Sequence, residues 1–105
     1  MNPQEFQAYT SDSNVVLIDV RSLQEYASGH IESAINMNMY SSAFMDEIKG
    51  LDKTKKYALY CQSGGRSSMA LQFMKSLGFA EVVHLDGGIS AWQDAGPPIT
   101  SEGDI

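Results

Sequence analysis

Lys56-Tyr57-Ala58-Leu59-Tyr60-Cys61-Gln62-Ser63-Gly64-Gly65-Arg66-Ser67 runs from apolar residues through the chain's only cysteine into two glycines, an arginine and a serine. The aromatic and apolar residues at 56–60 read as a strand. Beyond the glycines, Ala70, Phe73, Met74 and Leu77 recur at i, i+3, i+4 and i+7, the spacing of one helical face, and Gly78 offers the stop. The stretch is therefore a strand-loop-helix unit, with Cys61 at the carboxyl end of a strand and Ser67 near the start of a helix. In open α/β sheets that is where ligands bind.

Working outward, strands are expected near 15–20, 34–37 and 82–85 besides 56–60. Helices are expected near 3–9, 22–28, 42–49, 67–77 and 88–94. This alternation predicts an α/β fold: a parallel sheet in a three-layer α/β/α arrangement, with helices on both faces. Asn2 reads as an N-cap with Pro3 in the first turn. Ser22-Leu23-Gln24-Glu25 fits a capping box, and Gly29 is placed to end that helix. With 105 residues and 43% hydrophobic content, the chain has the length of one domain with a real core. That domain is expected over 1–95. The tail at 96–105 is expected to be extended and largely unfolded, with Ile99 packing back.

Loop composition points to nucleophilic chemistry. Gly64 and Gly65 accept dihedrals closed to other residues, so successive N–H groups can turn inward, and the next helix adds unpaired N–H groups and its positive dipole end. A thiol in that ring ionises more readily than its usual value of about 8.5 allows. A free cysteine is more often a small, buried, inert side chain. The two glycines, arginine and serine that follow Cys61 weigh against that reading, because packing alone needs none of them.

Four ordered stretches resemble the rhodanese-like sulfurtransferases. Cys61 to Ser67 is similar to their active-site loop. Asp19-Val20-Arg21, Glu25-Tyr26 and Gly29-His30-Ile31 with Ala34 and Asn36 resemble the family's N-terminal pattern. Asp86-Gly87-Gly88 followed by Trp92 resembles its C-terminal one. The resemblance spans about residues 15–95. It implies the rhodanese-like fold with a four- to five-stranded sheet, whose first strand precedes the Pro3 helix. Here the chain begins almost at that helix, so the first strand is expected to be missing or a stub.

The resemblance also implies a reaction. A Cys61 thiolate takes a sulfane sulfur from thiosulfate or a persulfide donor and holds it as a persulfide. Cyanide or a thiol acceptor then removes it. Cys61 is the catalytic nucleophile. Gln62, Ser63, Gly64, Gly65, Arg66 and Ser67 form the substrate-binding loop, whose inward N–H groups stabilise the outer sulfur. Arg66 either attracts an anionic donor or braces the loop, Ser67 either donates to the sulfur or caps the helix, and Gln62 is a candidate for selectivity. With no second cysteine, the acceptor comes from outside the chain: a small thiol or a sulfur-accepting protein. Cysteine-dependent phosphatases share the fold but place five residues between cysteine and arginine. Here only four separate Cys61 from Arg66, which favours sulfur transfer over a phosphatase-like hydrolase. A persulfide-carrying or interaction module with little turnover is the second alternative.

The remaining residues exclude more than they add. A net charge of -6 with seven lysines and arginines argues against a nucleic-acid partner. The basic cluster Lys53-Thr54-Lys55-Lys56 reads as a solvated loop. No stretch approaches the roughly 20 apolar residues that span a bilayer, and no signal peptide is seen. One unpaired cysteine suits a reducing compartment, so a cytoplasmic location is expected, and a small domain of this type is expected to be a monomer. His30, just past a short helix, suits backbone hydrogen bonding better than general-base work. His84 lies in an apolar strand with no companion at metal-ligand spacing, so neither a metal nor a cofactor is expected. Asp19 and Arg21 read as bracing at a strand's carboxyl edge. Met37, Met39, Met45, Met69 and Met74 read as core packing, and Trp92 as a core anchor.

Overall fold

The computed structural model describes residues 1–101. Its elements follow in the order α1 (Pro3–Thr10), β1 (Val15–Asp19), α2 (Leu23–Ser28), β2 (Ile35–Asn36), α3 (Phe44–Lys49), β3 (Lys56–Tyr60), α4 (Gly65–Ser76), β4 (Glu81–His84) and α5 (Gly88–Ala95). The strands form one parallel sheet in the order β2-β1-β3-β4. Beyond β4, the Asp86 N–H donates to the Met1 carbonyl at 2.7 Å and the Met1 nitrogen donates to the His84 carbonyl at 2.9 Å. Met1 thus hydrogen-bonds beside β4, where the expected first strand would lie, without forming a strand or bridge there.

Local chemistry sets the element boundaries. Asn2 and Glu5 cap α1 reciprocally, and Ser22 and Glu25 do the same for α2. Each capping box satisfies N–H groups that the first helical turn leaves unpaired. At α4 the helix opens at Gly65, two residues earlier than the periodicity predicts. Gly64 is its N-cap in the left-handed region, φ 105°, with no side-chain cap. Ser67 is thus inside the helix rather than at its cap. The predicted strand at 34–37 shrinks to Ile35–Asn36, because only those residues pair with β1.

β3 is central and covered on both faces, which is why its apolar residues run nearly without interruption. Tyr57, Leu59 and Cys61 face one core with Ile18, Val20, Ile48, Ala70 and Met74. Ala58 and Tyr60 face the other with Phe6, Leu17, Leu85, Ile89 and Trp92. Each fully buried large apolar side chain contributes about 1.5–3 kcal/mol. Trp92 meets Phe6 edge-on at 6.2 Å, as an anchor should. The methionines divide: Met37 and Met74 are buried and Met39 packs against the core, but Met45 and Met69 are 53% and 66% exposed. The expectation of core packing therefore fails for those two, which rim a shallow apolar groove with Phe44 and Phe73.

The tail is extended as expected, but through residue 101 it is docked. Thr100 and His30 exchange two backbone hydrogen bonds of 2.8 Å, and the Trp92 indole N–H donates to the Pro98 carbonyl at 3.3 Å. Residues 102–105 lie outside the described part. Among the described residues, no helix is long and apolar enough to cross a membrane.

Candidate active site

The sheet order reverses direction between β1 and β3, so the crevice at their carboxyl ends is the switch point where α/β sheets place ligands. Arg21 follows β1 there and Cys61 follows β3. Cys61 is 1% exposed, and its sulfur accepts a hydrogen bond from the Gly64 N–H at 3.1 Å. The Ser67 hydroxyl lies 3.6 Å away. Burial pushes the thiol's pKa up. The Ser67 N–H and hydroxyl, with the N–H groups of Gly64 and Ser63, outweigh it and bring the pKa below its ordinary value. The loop is thus a cradle for an anion on sulfur.

Of the loop residues named from sequence, Ser63, Gly64 and Ser67 converge on the sulfur, while the side chains of Gln62 and Arg66 turn elsewhere. The Gln62 amide accepts from Arg21 at 3.2 Å and donates to Ser90 at 2.8 Å. Arg66 makes a bidentate pair with Glu25, at 2.7 and 2.8 Å, and lies over the Tyr40 ring. That guanidinium holds the Glu25 carboxyl at about 2, against burial. Gly65 has ordinary helical dihedrals and open space around it, so only Gly64 needs glycine's conformational freedom.

Two supports hold the cradle. Arg21 is 3% exposed; its guanidinium donates to both Asp19 oxygens, to the Gly29 carbonyl at 2.6 Å, and to Gln62. Burial opposes its charge, and the Asp19 hydrogen bonds and charge more than restore it. Asp19 therefore reaches the loop through Arg21. On the other side, the Ile89 and Ser90 N–H groups at the start of α5 donate to the Cys61 and Gln62 carbonyls at 2.9 and 3.1 Å. Gly88 makes this approach possible: a Cβ there would lie 2.4 Å from the Gln62 carbonyl.

His30 bonds the Tyr26 carbonyl through Nδ1 at 2.7 Å and stacks on that ring, the local role expected of it. His84 is the residue sequence reasoning passed over. Its Nδ1 lies 3.0 Å from Ser67 Oγ. A signal existed in the period of two, which puts His84 on the face of Val82, and in the helical stripe Ser67, Ala70, Met74, which puts Ser67 opposite it. Among the described residues, no group of three or more His, Cys, Asp or Glu side chains is placed to hold a metal ion. A concavity lined by Asn14, Thr54, Lys55 and Lys56 lies at the amino ends of β1 and β3, the wrong edge of the sheet for this chemistry.

The chain is similar to known proteins along nearly its whole length. It is 35% identical over 98 residues to the uncharacterized protein slr1261 of Synechocystis, covering 91% of this chain and 52% of that one. It is 36% identical over 99 residues to the tRNA uridine(34) hydroxylase of Teredinibacter turnerae, covering 90% of this chain and 31% of the hydroxylase. The chain thus spans about half to a third of these relatives. The crystal structure of a rhodanese-related protein from Thermoplasma volcanium superposes with a TM-score of 0.81 at 32% identity, over 95% of each chain. The Rhodanese-like domain model matches residues 2–95, and the chain belongs to the rhodanese-like domain family.

Proposed function

We propose that this chain is a sulfurtransferase that moves a sulfane sulfur from thiosulfate or a persulfide donor to cyanide or a thiol through a Cys61 persulfide. With thiosulfate, the Cys61 sulfur attacks the outer sulfur and a new S–S bond forms. The bond to the sulfonate sulfur breaks, and sulfite leaves with that electron pair. Cyanide then attacks the outer sulfur of the persulfide, thiocyanate departs and the thiolate returns. Charge and electrons balance without a cofactor.

The observation that carries this reading is the cradle itself, a buried thiol whose pKa is depressed by hydrogen bonds from Ser63, Gly64 and Ser67. The backbone N–H donors among them, fixed before reaction, stabilise negative charge on the outer sulfur at no reorganisation cost. The position of Arg66 weighs against phosphoryl transfer. Its charge is matched by Glu25 rather than turned toward the cradle, so no arginine clamp for a phosphate is in place. The hydroxylase named among the relatives is about three times the length of the segment matched here. Its named reaction belongs to that whole protein, and the acidic balance of this chain does not favour a tRNA substrate. The lone free thiol suits a reducing compartment, and we place the reaction in the cytoplasm, with small anionic donors and a thiol or sulfur-accepting protein as partners.

The test is intact mass after incubation with thiosulfate and removal of excess donor, for the native chain and Cys61→Ser. One added sulfur atom, confined to the native chain and discharged by cyanide, is expected. No gain with thiosulfate or with a persulfide donor would sink the proposal. A stable gain with negligible turnover would mark a carrier module instead.

A further inference from the structure

Ser67 Oγ has three polar neighbours: His84 Nδ1 at 3.0 Å, the Gly64 carbonyl at 3.2 Å and Cys61 Sγ at 3.6 Å. A hydroxyl has one proton and two lone pairs, so these neighbours compete for it. His84 decides the outcome. Its Nε2 faces Asp86 Oδ1 at 3.6 Å, and a carboxylate there favours the proton on Nε2, leaving Nδ1 as an acceptor. Ser67 then donates to His84, and a Ser67 lone pair is left for the Cys61 proton.

We infer that His84 is a positioning residue for the nucleophile, taking up the Cys61 proton through Ser67. The inference rests on the reading of Cys61 as the nucleophile. The thiol proton passes from Sγ to Ser67 Oγ while the Ser67 proton passes to His84 Nδ1. One S–H and one O–H bond break, one O–H and one N–H bond form, and the electron pair stays on sulfur. The products are a thiolate and an imidazolium joined by the serine hydroxyl. Each donor now points at the thiolate side, so the charge-separated state keeps every hydrogen bond. When the persulfide is discharged, the returning thiolate meets the same donor.

The surroundings of His84 suit this role. Its side chain is 19% exposed. Burial lowers its pKa, Asp86 opposes this and the Met1 ammonium reinforces it, so the balance favours the neutral ring, which keeps one nitrogen lone pair free to accept a hydrogen bond from Ser67. From α4 the group that meets it is Ser67, and Cys61, just after β3, lies on the other side of that hydroxyl. The parallel register pairs Leu59 with His84, and the period of two puts Leu59 and Cys61 on one face of the sheet. Ser67 is fully buried at the head of the α4 stripe, so the link is shielded from water that would otherwise replace it.

The test uses Cys61 as the only thiol. Its alkylation rate by iodoacetamide is measured across pH for the native chain, His84→Gln, Ser67→Ala and the double variant, each checked for folding by circular dichroism. The native profile is expected to show two coupled steps belonging to the pair. In His84→Gln the lower step disappears and the rate at neutral pH falls about tenfold, the effect of about one unit in the thiol's ionisation. Ser67→Ala is expected to lose a similar factor, and the double variant no more than the larger single loss, because both residues act in one chain. A second readout needs no His84 variant: the imidazole titration of His84, followed by NMR, is expected to move when Cys61→Ser removes the thiol. A His84→Gln profile that superimposes on the native one overturns the inference, as does a His84 titration indifferent to Cys61→Ser. Alkylation reads the thiolate itself, so either result leaves sulfur transfer standing. Failure to form a persulfide with the coupled profile intact would sink sulfur transfer and spare the relay.

Discussion

Cys61 is buried to 1% exposure, and burial raises its thiol's pKa; the ring of donors outweighs that and brings the pKa below its ordinary value. Composition of the 61–67 stretch made that ring legible, since glycines, a serine and a following helix are what an anion cradle requires. The direction of Arg66 was not legible. It depends on Glu25, which lies 41 positions earlier and already caps α2. This pair gives a prediction with a sign. Glu25 falls from its ordinary 4.5 to about 2 in the folded chain, so the pair stabilises the fold fully above 4.5 and fades as pH drops toward 2. Glu25→Gln keeps a capping acceptor and is expected to cost about 0.5–1 kcal/mol at pH 7, as for a partly exposed bidentate pair. Urea denaturation of both chains should show that gap shrinking between pH 4.5 and 2. A constant gap would mean that the ion pair contributes nothing.

At the scale of elements, the decisive contact is between the start of α5 and the loop at 61–64 that follows β3. In the sequence, Asp86-Gly87-Gly88 stood as part of the family resemblance, ahead of a helix expected near 88–94. The structure shows what Gly88 is for, a close approach of that helix to the loop carbonyls of Cys61 and Gln62. Gly88→Ala would combine φ 63° with a Cβ 2.4 Å from backbone. Its expected cost is more than about 2 kcal/mol, with slower alkylation of Cys61, because the α5 N–H groups that hold the loop must withdraw. Gly65→Ala is the contrast. It has helical dihedrals and no heavy atom within 4 Å of the added carbon, so it should be neutral or stabilise by up to about 1 kcal/mol. Equal losses at the two positions, read from urea midpoints, would contradict this account.

At the scale of the molecule, the tail closes a seam between α2 and α5. Thr100 pairs with His30, Ile99 sits against Gly29, and the Pro98 carbonyl takes the Trp92 indole N–H. Ending the chain after Gly96 removes these bonds and is expected to cost about 1–3 kcal/mol, from hydrogen bonds worth about 1 kcal/mol each plus lost apolar cover. Trp92 fluorescence should shift to the red and the urea midpoint should fall; an unchanged midpoint would make the tail a passive strand. Sequence by itself determined the alternation of strands and helices, the caps of α1 and α2, the placement of a lone thiol at a strand's carboxyl end and its ring of donors. All of these follow from spacings of a few residues, where propensity and side-chain period act locally. Only the tertiary structure decided that β1 and β3 lie side by side and that Arg66 answers to Glu25. The same holds for Gln62 being pinned by Arg21 and Ser90, and for His84 standing behind Ser67. Each of those contacts joins residues 17 to 41 positions apart, and their meeting depends on strand order and register, which no local spacing encodes.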